Sequence, residues 1–248
     1  MDVNKNSYTF TFAAIMVVVV AAVLSFAATS LKEKQDNNVR LEKMQNILSS
    51  INVEVERDEA EAIYKDYVKQ ELVVNNYQPI EGINAFDIEL SKEVAKAPEE
   101  RNAPLYVAEK EGKTYFILPL RGKGLWGPIW GYISLEKNAS TIYGATFDHK
   151  SETPGLGAEI KTDMFTSLFP DKEVLDNSGE FTGIRVMKGN ADGPHEVNGI
   201  SGGTITSVGV QDMIQDCMKS YIPFLKDYQA SQTASANSEN SNPIVSID

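Results

Sequence analysis

The strongest constraint on the fold is an uncharged apolar run near the N-terminus. Residues Tyr8 to Leu31 carry no charged side chain and consist mainly of Ala, Val, Phe, Ile and Leu. At about 1.5 Å of rise per residue, a helix of this length crosses a hydrocarbon core of about 30 Å with some tilt. We expect residues 1–7 to form a short N-terminus and residues 8–31 to form a single transmembrane helix.

A cleaved signal peptide is the alternative interpretation of this run, since small residues from Ala27 to Ser30 resemble a cleavage site. The run is long for the apolar core of a signal peptide. The preceding leader holds only Asp2 and Lys5, so the expected positive segment is missing. Basic residues lie on both sides of the run, and the charge pattern therefore leaves the orientation in the membrane open.

The composition excludes several classes of function. Acidic residues outnumber basic ones and give a net charge of −12, without a basic stripe, so we expect no binding to nucleic acid. Cys217 is the only cysteine, which rules out an internal disulfide and favours a buried structural thiol. His149 and His195 are the only histidines, so we expect no metal site.

The pattern along the chain predicts an α+β fold. Helical stripes at 41–51 and 58–68 indicate a helical stalk and insertion over residues 32–104. Short β-type runs then follow at 106–108, 114–118, 129–135, 140–147 and 181–187, which predict an antiparallel sheet with flanking helices in a domain spanning residues 105–228. Polar residues dominate from 229 to 248 and predict a disordered tail.

A Gly-rich turn near the C-terminus is the main candidate site. Residues 198–207 read Asn-Gly-Ile-Ser-Gly-Gly-Thr-Ile-Thr-Ser and precede an apolar stripe with helical spacing. Ser207 is the predicted N-cap of that helix, and Gly202 and Gly203 permit close backbone approach. Helix N-termini favour anions, so a phosphate attached at Thr204 would be stabilised there. The alternative is a plain turn before a capped helix.

A second turn has the sequence Glu152-Thr-Pro-Gly-Leu-Gly157, between a β segment and a predicted helix. Its proline and glycines shape a tight, polar-lined connection against which a flat ring could lie. A simple strand-to-helix connection explains the same residues equally well.

Two other motifs are rejected as sites. Gly122 to Gly127 matches the Gly-x-Gly-x-x-Gly dinucleotide fingerprint, but Pro128 and a β-branched and aromatic run follow where that fingerprint requires a helix. The chain is therefore not expected to bind NAD. The triplet Gly144-Ala145-Thr146 lies inside a predicted strand, where no helix N-terminus can receive a phosphate.

Residues 198–204 resemble the flavinylation motif of proteins that carry FMN as a phosphoester on threonine. That motif reads Asp, two residues, Ser or Thr, Gly, Ala, Thr, and Thr204 falls on the acceptor position. Asn198 replaces the usual Asp, and Gly203 replaces the usual Ala. The 152–157 turn is similar to the second signature of the same family.

A third stretch discriminates within that family. Residues 122–127 together with Trp130-Gly131 resemble the C subunits of the Na⁺-translocating NADH:quinone oxidoreductases, and the resemblance covers most of residues 8–228. The nearest alternative is the G subunit of the Rnf ferredoxin:NAD⁺ oxidoreductase, which is typically shorter between anchor and flavin region. The long insertion from Asn38 to Arg101 favours the former.

The resemblance implies a covalent FMN on Thr204 and a set of residues around it. Gly202 and Gly203 would form the acceptor turn. Expected phosphate donors are Ser201, Thr206 and Ser207, with Lys123 as an electrostatic partner; expected ring or ribityl contacts are Glu152, Thr153, Gly155, Leu156 and Gly157; Trp126 and Trp130 would add an aromatic wall. No catalytic acid, base or nucleophile is expected.

The resemblance also implies a place in a larger membrane complex that oxidises NADH, reduces ubiquinone or menaquinone and exports Na⁺. This chain would pass electrons between other redox subunits, after maturation by a flavin transferase. The family's location implies a bacterial inner membrane with the soluble domain on the periplasmic side. A membrane-tethered scaffold without cofactor is the competing class. A hydrolase is rejected, because Ser201 and His195 lack an acid partner and a nucleophile elbow.

Overall fold

The computed structural model describes residues 6–239 and divides into two compact units, one up to Lys43 and one from Met44 onward. The helices are α1 (Asn6–Ser50), α2 (Ala60–Tyr67), α3 (Leu90–Glu93), α4 (Asp163–Thr166), α5 (Thr204–Met218) and α6 (Ile222–Glu239). The strands are β1 (Val68–Asn75), β2 (Gln78–Ile80), β3 (Ala103–Lys110), β4 (Lys113–Lys123), β5 (Pro128–Glu136), β6 (Ile142–His149), β7 (Arg185–Met187) and β8 (Glu196–Asn198). Short 3₁₀ helices occupy Ala85–Asp87, Pro98–Glu100 and Gly157–Lys161.

The first unit is the N-terminal part of α1. Among the described residues, α1 is the one helix long and apolar enough to cross a membrane, with a mean hydropathy of 2.6 in its most apolar window. None of the residues in this most apolar stretch of α1 is buried. Large apolar side chains such as Phe10, Val17 and Phe26 are therefore exposed, which in water would be strongly unfavourable and in lipid is expected.

The second unit is built on a six-stranded antiparallel sheet with the order β2-β1-β3-β4-β5-β6. Tight hairpins join β1 to β2 and β3 to β4. Their two central residues have positive φ, at Asn76 and Tyr77 and at Glu111 and Gly112, as the turns of two-residue hairpins require. A separate pair of short parallel strands, β7 and β8, precedes α5. The predicted α+β class with an antiparallel sheet is confirmed.

One face of the sheet packs against α5 and α6. Alternate residues of β4, namely Phe116, Leu118 and Leu120, are buried in the same apolar core as Met213 and Ile214 of α5. Close packing extends to Gly122, where an added Cβ would lie 2.6 Å from Cβ of Met213. The core thus holds α5, and with it the segment that begins at Thr204, against the end of β4.

The opposite face receives the last turns of α1. Met44, Ile47 and Leu48 are buried within the second unit. The sheet satisfies a terminal carbonyl of the helix, because Ser134 Oγ donates to Ser50 O at 2.5 Å. The rejected Gly144-Ala145-Thr146 triplet lies inside β6, as predicted. Only glycine fits at position 144, because an added Cβ would lie 2.3 Å from Ser50 O.

The structure differs from the sequence prediction in three regions. Residues 32–104 are not a helical stalk throughout, because β1 and β2 belong to the sheet and β1 pairs with β3. The predicted strand at 181–187 is shorter, since only Arg185–Met187 forms a strand. In the predicted tail, α6 continues to Glu239, and residues 240–248 lie outside the described residues.

Candidate functional site

Three segments of the domain meet at the side chain of Glu152, which is only 5% exposed. Its Oε1 accepts a hydrogen bond from the backbone N–H of Trp126 at 2.8 Å, in the loop between β4 and β5. Its Oε2 accepts from Oγ1 of Thr206 at 2.6 Å, in the first turn of α5. The sequence predicts Glu152 as a ring or ribityl contact. In the structure its side chain is buried and hydrogen-bonded within the domain, and the cofactor contact stays a prediction.

Two glycines leave room for this carboxylate. A Cβ added to Gly157 would lie 2.5 Å from both Glu152 Oε2 and Thr206 Oγ1, and one added to Gly124 would lie 2.6 Å from Glu152 Oε1. Neither distance is compatible with a real side chain. Gly157 is buried and has this packing role in the structure, and its predicted contact with the cofactor stays a prediction.

The acceptor turn closes just before α5. The N–H of Gly203 donates to Ile200 O at 3.0 Å, and Gly202 has a φ of 76°. Helix α5 begins at Thr204 with Gly203 as its N-cap residue. The sequence predicted that Ser207 caps the helix, which is wrong by one turn. The hydrophobic stripe fixes the direction of a helix better than its first residue.

Ser207 has a different role from the one predicted. Its side chain is fully buried, and its Oγ donates to Gly203 O and accepts from the N–H of Ile200, both at 3.0 Å. Thr206 is 1% exposed and its hydroxyl is engaged by Glu152. Both hydroxyls therefore brace the acceptor turn from inside, and their predicted role as phosphate donors is not supported. Ser201, by contrast, is exposed.

Thr204 is exposed and is the first residue of α5. The first helical hydrogen bond is donated by Ser207 to Gly203 O at 2.9 Å. The N–H groups of Thr204, Ile205 and Thr206 precede it, so they have no carbonyl partner within the helix, and Gly203 offers no side-chain cap. The threonine hydroxyl thus lies beside backbone donors that favour an anion.

The 152–157 turn contacts the acceptor turn directly. A Cβ added to Gly202 would lie 2.7 Å from Cδ2 of Leu156, and one added to Gly203 would lie 3.0 Å from Leu156 O. Thr153 is exposed while its carbonyl anchors the turn by accepting from the N–H of Leu156 at 3.1 Å. Gly155 has a φ of 75°, and its N–H donates to Glu159 Oε1. The two sequence motifs therefore form one site.

Large exposed apolar side chains in the second unit concentrate at this site. The second unit has six such residues among those described: Ile83, Leu125, Trp126, Leu156, Met164 and Ile205. Four of these six belong to the three segments that meet at Glu152. Trp126 is 66% exposed and Ile205 is 61% exposed. Concentrated apolar exposure of this kind marks a surface that meets a ligand or partner.

Sequence reasoning missed Leu125 and Ile205. For Ile205 a signal existed, because an isoleucine between two threonines falls outside the stripe of α5 that contains Met213 and Ile214. An apolar residue off the buried stripe of a helix is exposed. Leu125 carries no comparable signal, since its exposure follows from the loop in which it lies.

Two residues predicted at the site, Trp130 and Lys123, make contacts other than those around Glu152. Trp130 stacks on the guanidinium of Arg121, 5.3 Å from the ring centroid, and burial lowers the pKa of Arg121 from its usual value. Lys123 is exposed at the end of β4, where its carbonyl lies against Gly209 of α5. It borders an open cleft of about 700 Å³ whose lining includes Asp212.

The buried face of α5 holds the single cysteine. Cys217 is 4% exposed, its Sγ accepts from the N–H of Arg121 at 3.3 Å, and burial raises the pKa of its thiol to about 11. The thiol therefore serves the packing of α5 against β4, as the sequence predicted for a structural cysteine.

The two departures from the flavinylation motif are accommodated in the structure. Asn198 ends β8, and its Oδ1 accepts from the N–H of Ala191 at 3.0 Å, which a carboxylate would do equally well. Gly203 lies in close contact with Leu156, so the absent methyl leaves that packing undisturbed. Both residues fit the turn as it is folded here.

The segments that form the site lie within a region that matches a known protein family. A family model described as the FMN-binding domain matches residues 124–219, which include the β4–β5 loop, the 152–157 turn and α5. The C subunit of the Na(+)-translocating NADH-quinone reductase from Haemophilus ducreyi is 28% identical, over 94% of this chain and 98% of that protein.

Two solved structures also match. The crystal structure of the Na(+)-translocating NADH-quinone reductase C subunit from Parabacteroides distasonis is 42% identical, covers 79% of this chain and 96% of its own, and superposes with a TM-score of 0.73. NqrC from Shewanella oneidensis, at 24% identity and a TM-score of 0.63 over 75% of this chain and 98% of its own, supports the fold. These matches show that the chain belongs to the NqrC family, the C subunits of the Na(+)-translocating NADH-quinone reductases.

Proposed function

We propose that this chain is the FMN-carrying electron-transfer subunit of a membrane Na⁺-translocating NADH:quinone oxidoreductase, with FMN joined to Thr204 by a phosphoester. The observation that carries the proposal is the placement of an exposed threonine hydroxyl at the first position of α5, beside unpaired backbone donors and exposed apolar side chains. Membership of the family and the FMN-binding domain match support it.

The exposure of the two hydroxyls supports Thr204 over Thr206 as the proposed attachment residue. Thr204 is exposed, whereas the hydroxyl of Thr206 is buried and donates to Glu152. A transferase must reach the hydroxyl from solvent, so only the first of the two threonines is accessible. The phosphoester replaces the hydroxyl hydrogen of Thr204 and adds FMN less one water.

The residues present fit both ends of the cofactor. The backbone N–H groups at the start of α5 would hold the phosphate, with the exposed hydroxyl of Ser201 nearby in sequence. Leu156 and Trp126 would offer apolar surface to the ring, because both are exposed on segments that contact the acceptor turn or its support. Thr153 is the exposed polar residue of the 152–157 turn.

FMN would supply the capacity to accept and release single electrons. The chain's own residues would hold the phosphate, offer apolar side chains to the ring and fix the attachment point against the sheet. The covalent bond would prevent loss of the cofactor. Because electron transfer requires position and polarity alone, the site needs no nucleophile or general base.

We place the chain among other redox subunits, anchored by α1 in the inner membrane with the second unit on the periplasmic side. The apolar, fully exposed window of α1 supports the anchor, and the family supports the company of other subunits. Proteinase K added to spheroplasts tests the sidedness. Degradation of the second unit without lysis supports the periplasmic location, and protection until lysis contradicts it.

Fluorescence in a denaturing gel tests the cofactor. Membranes from the native host, separated in detergent, should give a band near 27.3 kDa that fluoresces under ultraviolet light, because a phosphoester survives denaturation. A dark band from authentic membranes would contradict the covalent flavin and support a scaffold without cofactor. Identification of the proteins that copurify distinguishes an NADH:quinone oxidoreductase from an Rnf complex.

A further inference from the structure

The side chain of Glu152 joins two parts of the site that are far apart in sequence. Both of its hydrogen-bond donors are neutral, the N–H of Trp126 and the hydroxyl of Thr206. Burying a carboxylate costs free energy unless its oxygens are hydrogen-bonded, so both bonds are needed to keep Glu152 in place. The loss of either bond leaves a buried oxygen without a partner.

The bond to Trp126 is part of a clamp on that residue's backbone. Glu152 Oε1 accepts from the N–H of Trp126 at 2.8 Å, and Ser151 Oγ donates to the carbonyl of Trp126 at 3.1 Å. Two consecutive residues thus hold the peptide groups on both sides of Trp126. Its side chain remains 66% exposed, so the clamp fixes where the exposed indole emerges.

The bond to Thr206 fixes the start of α5. Thr206 lies two residues after Thr204 in the first turn of the helix, and its hydroxyl is 2.6 Å from Glu152 Oε2. There is no slack in this contact, because a Cβ on Gly157 would lie 2.5 Å from both of these oxygen atoms. One carboxylate therefore sets the position of the exposed tryptophan and of the exposed threonine together.

We propose that Glu152 is a positioning residue that couples the β4–β5 loop carrying Trp126 to the first turn of α5 carrying Thr204. Glu152 acts through its hydrogen bonds to Trp126 and Thr206. The role in orienting a flavin rests on the proposed function above. The mechanical coupling does not, because it is a property of the chain without cofactor.

Hydrogen exchange at the amide of Trp126 tests the coupling in the full chain without flavin. Thr206→Val removes the hydroxyl on α5 and changes neither Glu152 nor Trp126. Since Glu152 then has an unpaired buried oxygen, we expect the Trp126 amide to exchange faster on the order of tenfold. Thr162→Val is the matched control, because Thr162 donates to Glu159 O and does not contact Glu152.

Two substitutions of Glu152 complete the series. Glu152→Gln keeps an oxygen for the Trp126 N–H and an amide that can donate to Thr206, so it should stay within about threefold of the wild-type exchange rate. Glu152→Ala removes both links and should give the fastest exchange. If Thr206→Val leaves the Trp126 amide within about twofold of wild type, or if Thr162→Val accelerates it equally, the coupling is overturned.

Flavin-loaded protein separates the two proposals. With flavin attached, Glu152→Ala should make the flavin emission more accessible to iodide quenching, and Glu152→Gln should restore protection. If the wild type carries flavin but iodide quenches the flavin emission equally in the wild type and both Glu152 variants, the positioning role is overturned. The proposed function then stands. If wild-type protein from the native host carries no flavin, the proposed function is contradicted. If Thr206→Val nevertheless accelerates exchange at Trp126, the coupling is supported.

Discussion

The exposed and buried residues of the site have opposite characters although they come from the same short motifs. We call the exposed set the rim and the buried set the base. The rim is Trp126, Thr153, Leu156, Thr204 and Ile205; the base is Glu152, Gly157, Thr206 and Ser207. Rim side chains extend into solvent, whereas the side-chain oxygens of the base are hydrogen-bonded within the domain. The rim is free to meet a ligand, and the base holds the rim in place.

The largest expected effect is at the centre of the rim. Thr204→Ala should abolish covalent flavin completely, while the free energy of unfolding changes by less than about 0.5 kcal/mol because the side chain is exposed. In-gel fluorescence and urea unfolding of the same preparations measure both quantities. Thr206→Ala is the matched base variant, which should keep the flavin and lose about 1–3 kcal/mol of stability. Label retained on the Thr204 variant would break the comparison.

The next effect is at the tightest point of the base. Gly157→Ala places a methyl group 2.5 Å from Glu152 and Thr206 and should lower the free energy of unfolding by about 3 kcal/mol. Gly155→Ala is the control in the same turn. An added Cβ there meets no atom within 4 Å, and only the positive φ of 75° costs about 1 kcal/mol. Equal losses, measured by urea unfolding, would show that packing against Glu152 is not what distinguishes the two glycines.

A smaller effect compares two serines of the acceptor region. Ser207→Ala removes the hydroxyl that joins Gly203 O to the N–H of Ile200 and should cost about 1–3 kcal/mol. Ser201→Ala, at an exposed position, should change stability by less than about 0.5 kcal/mol. Thermal unfolding of the two variants decides the point. The opposite ranking would mean that the acceptor turn is held by other contacts.

The smallest effect on stability is expected at Trp126. Because its side chain is 66% exposed, Trp126→Ala should change the free energy of unfolding by less than about 0.5 kcal/mol. Flavin emission should nevertheless rise, since an indole close to the ring quenches it. Trp130→Phe serves as the control, as Trp130 stacks on Arg121. A rise in emission with Trp130→Phe alone would move the aromatic contact to the other tryptophan.

The rim was largely predictable from the sequence, and the base was not. The Gly-Gly turn, the following helix and the accessible hydroxyl of Thr204 follow from local patterns. The burial of Glu152 depends on Thr206, which lies on a separate element, and no local pattern encodes that contact. The sequence alone therefore predicts Glu152 as a ligand contact and gives no sign of its hydrogen bond to α5.

The sheet shows the same limit. Strands β3 to β6 follow from short apolar runs and turns, but β1 was predicted as part of a helical stalk. Its exposure does not alternate, because Lys69 to Glu71 are all exposed while Val73 and Val74 are both buried. A strand without a period of two is recognised only through its partner, here β3, which is distant in sequence.

The central claim, a phosphoester on Thr204, is tested most directly by tandem mass spectrometry of the native protein. Trypsin should release the peptide spanning residues 189–219, which contains both Thr204 and Thr206. We predict that this peptide is heavier by about 438 Da, the mass of FMN less water, and that fragment ions place the addition on Thr204. An unmodified peptide, or an addition located on Thr206, would contradict the account.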